Sequence, residues 1–306
     1  MLIGADPEFF IVDNKFQIIN AFRLIKKNKK NPLKIKDFKF FYDNVAIEAN
    51  FSPVNTKEQF VAKIDNMFLE LRKITSPYNL SLQAYGELDE IETKFPNTNE
   101  IGCEPDLNAY KFCYNKLPIK QVRENSGRTI GGHLHIGGLG EDAVLDPFMK
   151  PLFVYMLDLF VGIPSVLIDT SVDSYKRRKT FGKAGSYKSK KYGLEYRVLS
   201  PFWLSNPSLA ELIYRLVEFV FNGMNEKIYT KFWQFDETKM GSKTKDAYKC
   251  FGYDCDEVSN CINNMDINLA KKYYNFIHNF LPEDIAHLLD QEIEKKCNPV
   301  DFYWNT

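Results

Sequence analysis

Four short segments of this chain alternate between an apolar side and a side bearing polar residues, and that period of two dictates a sheet there rather than helices. In Leu2 to Ile11, the positions Ile3, Ala5, Phe9 and Ile11 share one side, while Asp6 and Glu8 take the other. In Asn44 to Phe51, Val45, Ile47, Ala49 and Phe51 oppose Glu48 and Asn50. In Gly131 to Gly138, Leu134 and Ile136 oppose His133 and His135. In Leu194 to Leu199, Leu194, Tyr196 and Val198 oppose Glu195 and Arg197. Each strand thus carries one packing face and one chemically loaded face.

A half-wet sheet would produce the alternation by itself, but an idle solvated face would be rich in Lys, Thr and Ser. Carboxylates, imidazoles and a guanidinium in those positions are the inventory of a divalent-metal and phosphate site. The chain has only four histidines, and two fall in Gly-Gly-His-Leu-His-Ile-Gly-Gly. Glycine pairs on both sides of that strand allow backbone or ligand to approach closely. His278 and His287 lie in segments of helical spacing and are read as structural.

Apolar residues recur at helical spacing in 57–75, where Thr56 is a candidate cap, in 207–225 and in 267–296. Pro282 divides the last of these into a helix ending near Phe280 and another opening at Glu283. Strands and helices are interspersed without the regular βα alternation and Gly-rich turn of a dinucleotide fold. The expectation is an α+β protein with an antiparallel-rich sheet and a helical C-terminal region. A weakly marked boundary near 205 separates a catalytic sheet region, 1–205, from a mostly helical region, 206–306, packed on the same domain.

With 44% hydrophobic and 26% charged residues the chain is of ordinary globular composition. Its formal net charge is zero, so no global field recruits nucleic acid or an anionic membrane. The most apolar stretch, Leu152 to Ile168, is interrupted by Asp158 and Pro164, and suits a buried helix better than a membrane span. Early acids and no basic-then-apolar leader point to the cytoplasm. None of the six cysteines forms a CxxC pair, so free thiols are expected over a zinc site at Cys250, Cys255 and Cys261.

Anion binding must then come from a local cluster. Eight cations and no acid occur between Tyr175 and Tyr192: Lys176, Arg177, Arg178, Lys179, Lys183, Lys188, Lys190 and Lys191. Five of the chain's eight arginines (Arg123, Arg128, Arg177, Arg178 and Arg197) lie between 123 and 197. With Gly182 and Gly185 inside it, this arm reads as a mobile cationic loop feeding the strand of Glu195 and Arg197. Triphosphate binding needs such a pairing, in which cations neutralise phosphate oxygens and carboxylates hold the bridging Mg²⁺. The shorter basic run from Lys26 to Lys30 reads as a solvated turn.

Five motifs carry a family resemblance: Gly4-Ala5-Asp6-Pro7-Glu8-Phe9-Phe10, Glu48-Ala49-Asn50, Gly102-Cys103-Glu104-Pro105-Asp106, the His133/His135 segment, and Gly193-Leu194-Glu195-Tyr196-Arg197-Val198-Leu199-Ser200-Pro201-Phe202-Trp203. Together, in this order, they resemble the phage-type carboxylate–amine ligases, the amidoligases of the glutamine synthetase and glutamate–cysteine ligase superfamily. The resemblance covers about the first two thirds of the chain. It implies a curved antiparallel sheet backed by helices, with ATP and Mg²⁺ or Mn²⁺ on it, and an amide-forming reaction through an acyl phosphate. It implies metal ligation by Glu8, Glu48, His133 and Glu195, with Asp6 and His135 beside them. Catalytic roles fall to Arg197, Glu195 and Glu48. Nucleotide or acyl-phosphate contacts fall to Arg197, Arg128, Arg177, Arg178, Lys183 and Lys188. Lys188 stands where family members often carry arginine, and lysine gives up the bidentate fork. Carboxylate and amine substrates are implied, in the host cytoplasm if the chain is phage-encoded. Association into homo-oligomers is common in the superfamily.

Two other readings fit parts of the pattern. A metal-dependent hydrolase could use the His-x-His strand and its carboxylates to activate water. A non-catalytic polyanion or nucleic-acid binder could use 175–192, but the acidic strand faces would repel phosphate without metal.

Overall fold

A computed structural model describes residues 1–99, 105–117, 126–140, 148–227, 230, 233–235, 248–250 and 254–297. Its strands are β1 (Leu2–Val12), β2 (Ile18–Ile19), β3 (Leu33–Ile35), β4 (Phe38–Asp43), β5 (Ala46–Phe51), β6 (Asn79–Ser81), β7 (Tyr85–Glu87), β8 (Leu107–Asn108), β9 (Cys113–Tyr114), β10 (Gly127–Thr129), β11 (Gly132–Gly137), β12 (Ser186–Lys190) and β13 (Gly193–Tyr196). The four alternating segments are β1, β5, β11 and β13 with their flanks. They sit side by side, in the order β3-β4-β5-β1-β11-β13-β12-β8-β9, with β2 and β6 also on β1. Every pairing is antiparallel.

Register is what turns alternation into a site. A slip of one residue would send every acid to the packing side. Instead Asp6 faces His133 across β1 and β11, Glu8 faces Glu48 across β1 and β5, and His135 faces Glu195 across β11 and β13. The opposite side is the main core: Ile3, Phe9, Ile47, Ala49, Leu134, Ile136, Leu194 and Tyr196 are all buried there.

Helices back that apolar side. α1 (Lys57–Thr75) opens at Thr56, whose side chain accepts from the Gln59 amide, and α2 (Glu90–Thr93) is one turn. α3 spans Met149–Ile168 and contains a π turn over Asp158–Gly162. α4 is Val172–Thr180, and α5 is Pro207–Asn225, capped by Asn206. α6 (Cys255–Asn264), α7 (Ile267–His278) and α8 (Glu283–Lys295) follow, with Pro282 between the last two. One apolar cluster runs from Ile3 to Leu289 and so draws on residues on both sides of position 205.

At 20 residues α3 is long and apolar enough by composition to cross a membrane, and its apolar window is 100% inside the protein, as expected of a buried helix. The mostly helical C-terminal region also contains one antiparallel pair among the described residues, β14 (Trp233–Phe235) with β15 (Tyr248–Cys250).

Candidate active site

The polar face that the four strands share is buried rather than wet. Asp6, Glu48, His133, Glu195 and Arg197 are all at most 5% exposed. Taking that many charged groups out of water is costly unless counter-charges or bound ions meet them. Two clusters stand next to each other on β1. Asp6, His135 and Glu195 bring ligand atoms within 4.8 Å of one another, and so do Glu8, Asp43 and Glu48.

The sequence positions these groups tightly. Gly131 donates its backbone N–H to Glu8 Oε2 at 2.7 Å and so aims that carboxylate. A Cβ at Gly131 would meet the His133 ring at 2.2 Å, and one at Gly132 would meet Trp203 Nε1 at 2.5 Å and the Ser200 carbonyl at 2.7 Å. The glycine pair is therefore needed for close packing around the histidine strand. Asp43 ends β4 beside the left-handed Asn44 (φ 52°). A buried amide network fixes that turn: Asn97 donates to the Asn44 carbonyl, and Asn44 Nδ2 donates to the Thr98 carbonyl at 2.8 Å.

The charges within the site pull one another's proton affinities apart. Burial, with Asp43 nearby, pushes Glu8 up to about 8. Burial and the Asp6, Asp43 and Glu8 carboxylates push Glu48 well above the usual range. Burial also works to raise Asp6, but His135 and His133 outweigh it and hold Asp6 well below its ordinary value. For Glu195, burial and Asp6 are likewise outweighed, by Arg197, His133 and His135, and it falls to about 2. Burial next to Arg197 brings His133 down to about 4, so this ring is neutral at pH 7. Burial acts to lower His135, yet Asp6 and Glu195 hold it above its ordinary value.

These shifts predict a pH slope. A carboxylate raised in the folded state gives stability that is full below its unfolded value and is lost as pH rises through the folded value. Glu8 therefore loses stability up to about pH 8. A histidine lowered to about 4 gives the opposite slope, but that slope is complete above about pH 6.5. In chelator, the melting temperature should fall between about pH 6.5 and pH 8, and Glu8→Gln should flatten part of that fall. An unchanged slope in the variant would show that Glu8 is not the group responsible.

Arg197 is the fixed cation of the site. Its Nε lies 2.8 Å from Asp106 Oδ1, and its Nη1 contacts both Glu195 and, at 3.4 Å, His133 Nδ1. Two lysines reach in from the edges. Lys190 Nζ is 2.8 Å from Glu195 Oε2, and Lys29 Nζ is 3.8 Å from Glu48 Oε1.

The structure thus brings together Asp6, Glu8, Glu48, His133, His135, Glu195 and Arg197. His133 belongs to neither three-residue cluster, but its Nδ1 lies 3.6 Å from Asp6 Oδ1 as well as 3.4 Å from Arg197 Nη1, and His135 Nε2 lies 3.1 Å from Asp6 Oδ2, so both histidines of the His-x-His strand meet Asp6. Lys188 stands opposite Glu195 in the β12–β13 register and shares its face. Lys183 lines a small crevice with Asp106, Asn115 and Thr180.

The basic arm is not a mobile loop. Its first half is α4, its second half is β12, and two of its arginines are buried. Arg177 donates to the Val198 and Arg197 carbonyls at 2.8 and 3.1 Å, and Arg178 to Ser165 Oγ at 3.1 Å. The chain leaving β13 exposes carbonyls with no strand beside them, and Arg177 satisfies them. Arg128 donates to Asn44 Oδ1 and to the Gly127 and Thr98 carbonyls, so it braces the turn that carries Asp43. Cys103, Glu104 and Arg123 lie outside the described residues. Cys113 and Cys261 are free thiols.

Asp43 and Lys29 complete the site without having been singled out from the sequence, together with Lys190 of the basic arm. One signal was available. Glu8 directly opposite Glu48 is a like-charge pair that a merely structural sheet avoids. The donor chemistry also fits divalent cations. The second cluster is all carboxylate oxygen, the first adds one imidazole, and Asp6 Oδ1 is buried with no hydrogen-bond partner.

Residues 122–243 match the family described as Phage phiEco32-like COOH.NH2 ligase-type 2. The matched segment includes His133, His135, Glu195 and Arg197, while β1 and β5 lie before it. No curated protein matches the chain.

Proposed function

We propose, on the premise that this chain is a carboxylate–amine ligase of the matched family, that ATP drives the reaction through an acyl phosphate on a glutamine synthetase-like sheet. The observation that carries this reading is the pair of adjacent, buried donor clusters sharing one sheet face with Arg197. Asp6, His135 and Glu195 would hold one divalent cation, and Glu8, Asp43 and Glu48 another. Such cations, Mg²⁺ or Mn²⁺, would supply charge neutralisation for the phosphate oxygens of the nucleotide.

A carboxylate resists attack by an amine because its leaving group would be oxide. In the proposed first step a substrate carboxylate oxygen bonds to the γ-phosphorus of ATP and the bond to ADP breaks. In the second, the amine nitrogen bonds to the carbonyl carbon and phosphate leaves, carrying one former carboxylate oxygen. The chain's own contribution is positioning and electrostatics. Arg197, held by Asp106 and Glu195, keeps a positive charge beside the reacting groups. His133 stays neutral and cannot compete as a second cation there. Lys188 and Lys183 supply further positive charge toward the nucleotide. Burial keeps water from taking the amine's place.

A screen for ADP release against pooled carboxylates and pooled amines, with Mg²⁺ or Mn²⁺, tests the reading. ADP should form only when both pools and a divalent ion are present. Chelator-sensitive hydrolysis without any nucleotide would instead support a hydrolase.

A further inference from the structure

We infer that Lys29 and Lys190 are exchangeable counter-ions, one for each acidic cluster, that yield to divalent cations and then bind the phosphates of the nucleotide. The inference rests on the ligase reading above. Each cluster has one ammonium close to it: Lys190 Nζ at 2.8 Å from Glu195 in the first, and Lys29 Nζ at 3.8 Å from Glu48 in the second. They enter from opposite sides, Lys190 from the end of β12 and Lys29 from the turn before β3.

Their exposure separates them from the fixed cation. The lysine side chains are 32% and 65% exposed, while their carboxylate partners are 2% and 4% exposed. The Arg197 side chain is 6% exposed and clamped between two acids. Arg197 therefore belongs to the floor of the site, and the lysines reach down to it from the mouth on flexible stems.

Both lysines hang from pinned backbone. Lys150 Nζ donates to the Lys190 carbonyl at 3.0 Å and to Ser189 Oγ at 2.8 Å. In the other loop, Asn28 Oδ1 accepts the amides of Lys30 and Asn31, and the Lys27 carbonyl accepts the Tyr42 amide. The side chains can swing while their Cα atoms stay at the rim. An ammonium and a divalent cation compete for the same carboxylate charge, and each weakens the other's hold on it. Once cations enter, each displaced ammonium is left at the mouth, where phosphate oxygens would lie. The run from Lys26 to Lys30, which reads as a solvated turn, thereby supplies one side of a phosphate clamp.

The two roles predict effects of opposite sign. In Mn²⁺ titrations followed by electron paramagnetic resonance without nucleotide, Lys29→Gln and Lys190→Gln should bind Mn²⁺ about threefold tighter or more, because a competitor is gone. With Mn²⁺ saturating, the same variants should bind ADP about fivefold more weakly or worse, because a phosphate contact is gone. Lys30→Gln, one residue along the same loop, should move neither constant by more than about 1.5-fold, as expected for an exposed charge without a partner role. Unchanged constants, or two constants moving in the same direction, would overturn the inference. A wild-type chain that takes up no Mn²⁺ would overturn the ligase reading itself, and this one with it.

Discussion

Glu48→Gln and Glu195→Gln should each cut ADP formation by at least about a thousandfold, while shifting stability in opposite directions. Each removes one charged oxygen from a different donor cluster, and the proposed reaction needs a cation in each. The stability signs differ because the two carboxylates live in different fields. Glu48 is held above the usual range by burial and by three neighbouring acids. Neutralising it relieves that repulsion, so the variant should melt higher than wild type in chelator at pH 8. Glu195 is drawn down to about 2, against burial and Asp6, by Arg197, His133 and His135. Neutralising it strands Arg197 and Lys190, so that variant should melt lower. Calorimetry in chelator, alongside ADP assays with Mg²⁺, reads both effects. Undiminished ADP release by either variant would sink the site assignment.

The second large effect belongs to Arg197. Its guanidinium is buried between Asp106 and Glu195, with Lys190 as the nearest other cation to Glu195. Arg197→Met would leave two buried acids short of a counter-charge, a loss on the order of 3–5 kcal/mol. Arg197→Lys restores the charge without the fork and should recover only part of the loss. Mg²⁺ should narrow the gap between variant and wild type, because a cation in the first cluster neutralises Glu195. Urea unfolding with and without Mg²⁺ measures this. A variant as stable as wild type in chelator would mean that the acids are not held by Arg197.

Much of this arrangement was legible because two different periods carry it. Alternation identified β1, β5, β11 and β13, since each has one wholly apolar side. Helical spacing, with Thr56 at the start of the first, identified α1 and α5. The choice of acids, imidazoles and a guanidinium on the polar faces pointed to ions. The remainder depends on tertiary context. Asp43 escaped notice because Phe41 shares its face of β4, which breaks the polar side of the alternation. Lys29 escaped because only the folded hairpin brings its loop back over Glu48. Arg177 and Arg178 misled because a charge run conceals burial. Those arginines are inside because carbonyls beyond β13 and Ser165 on α3 need donors. Arg128, expected to contact the nucleotide, braces the Asn44 turn, a contact that only the folded chain creates.

The acyl-phosphate claim is tested most directly by oxygen transfer. Carboxylates labelled with ¹⁸O, supplied as a pool with amines, ATP and Mg²⁺, should give inorganic phosphate bearing one labelled oxygen for each ADP formed. ADP accompanied by wholly unlabelled phosphate, or AMP with pyrophosphate in place of ADP, would contradict it.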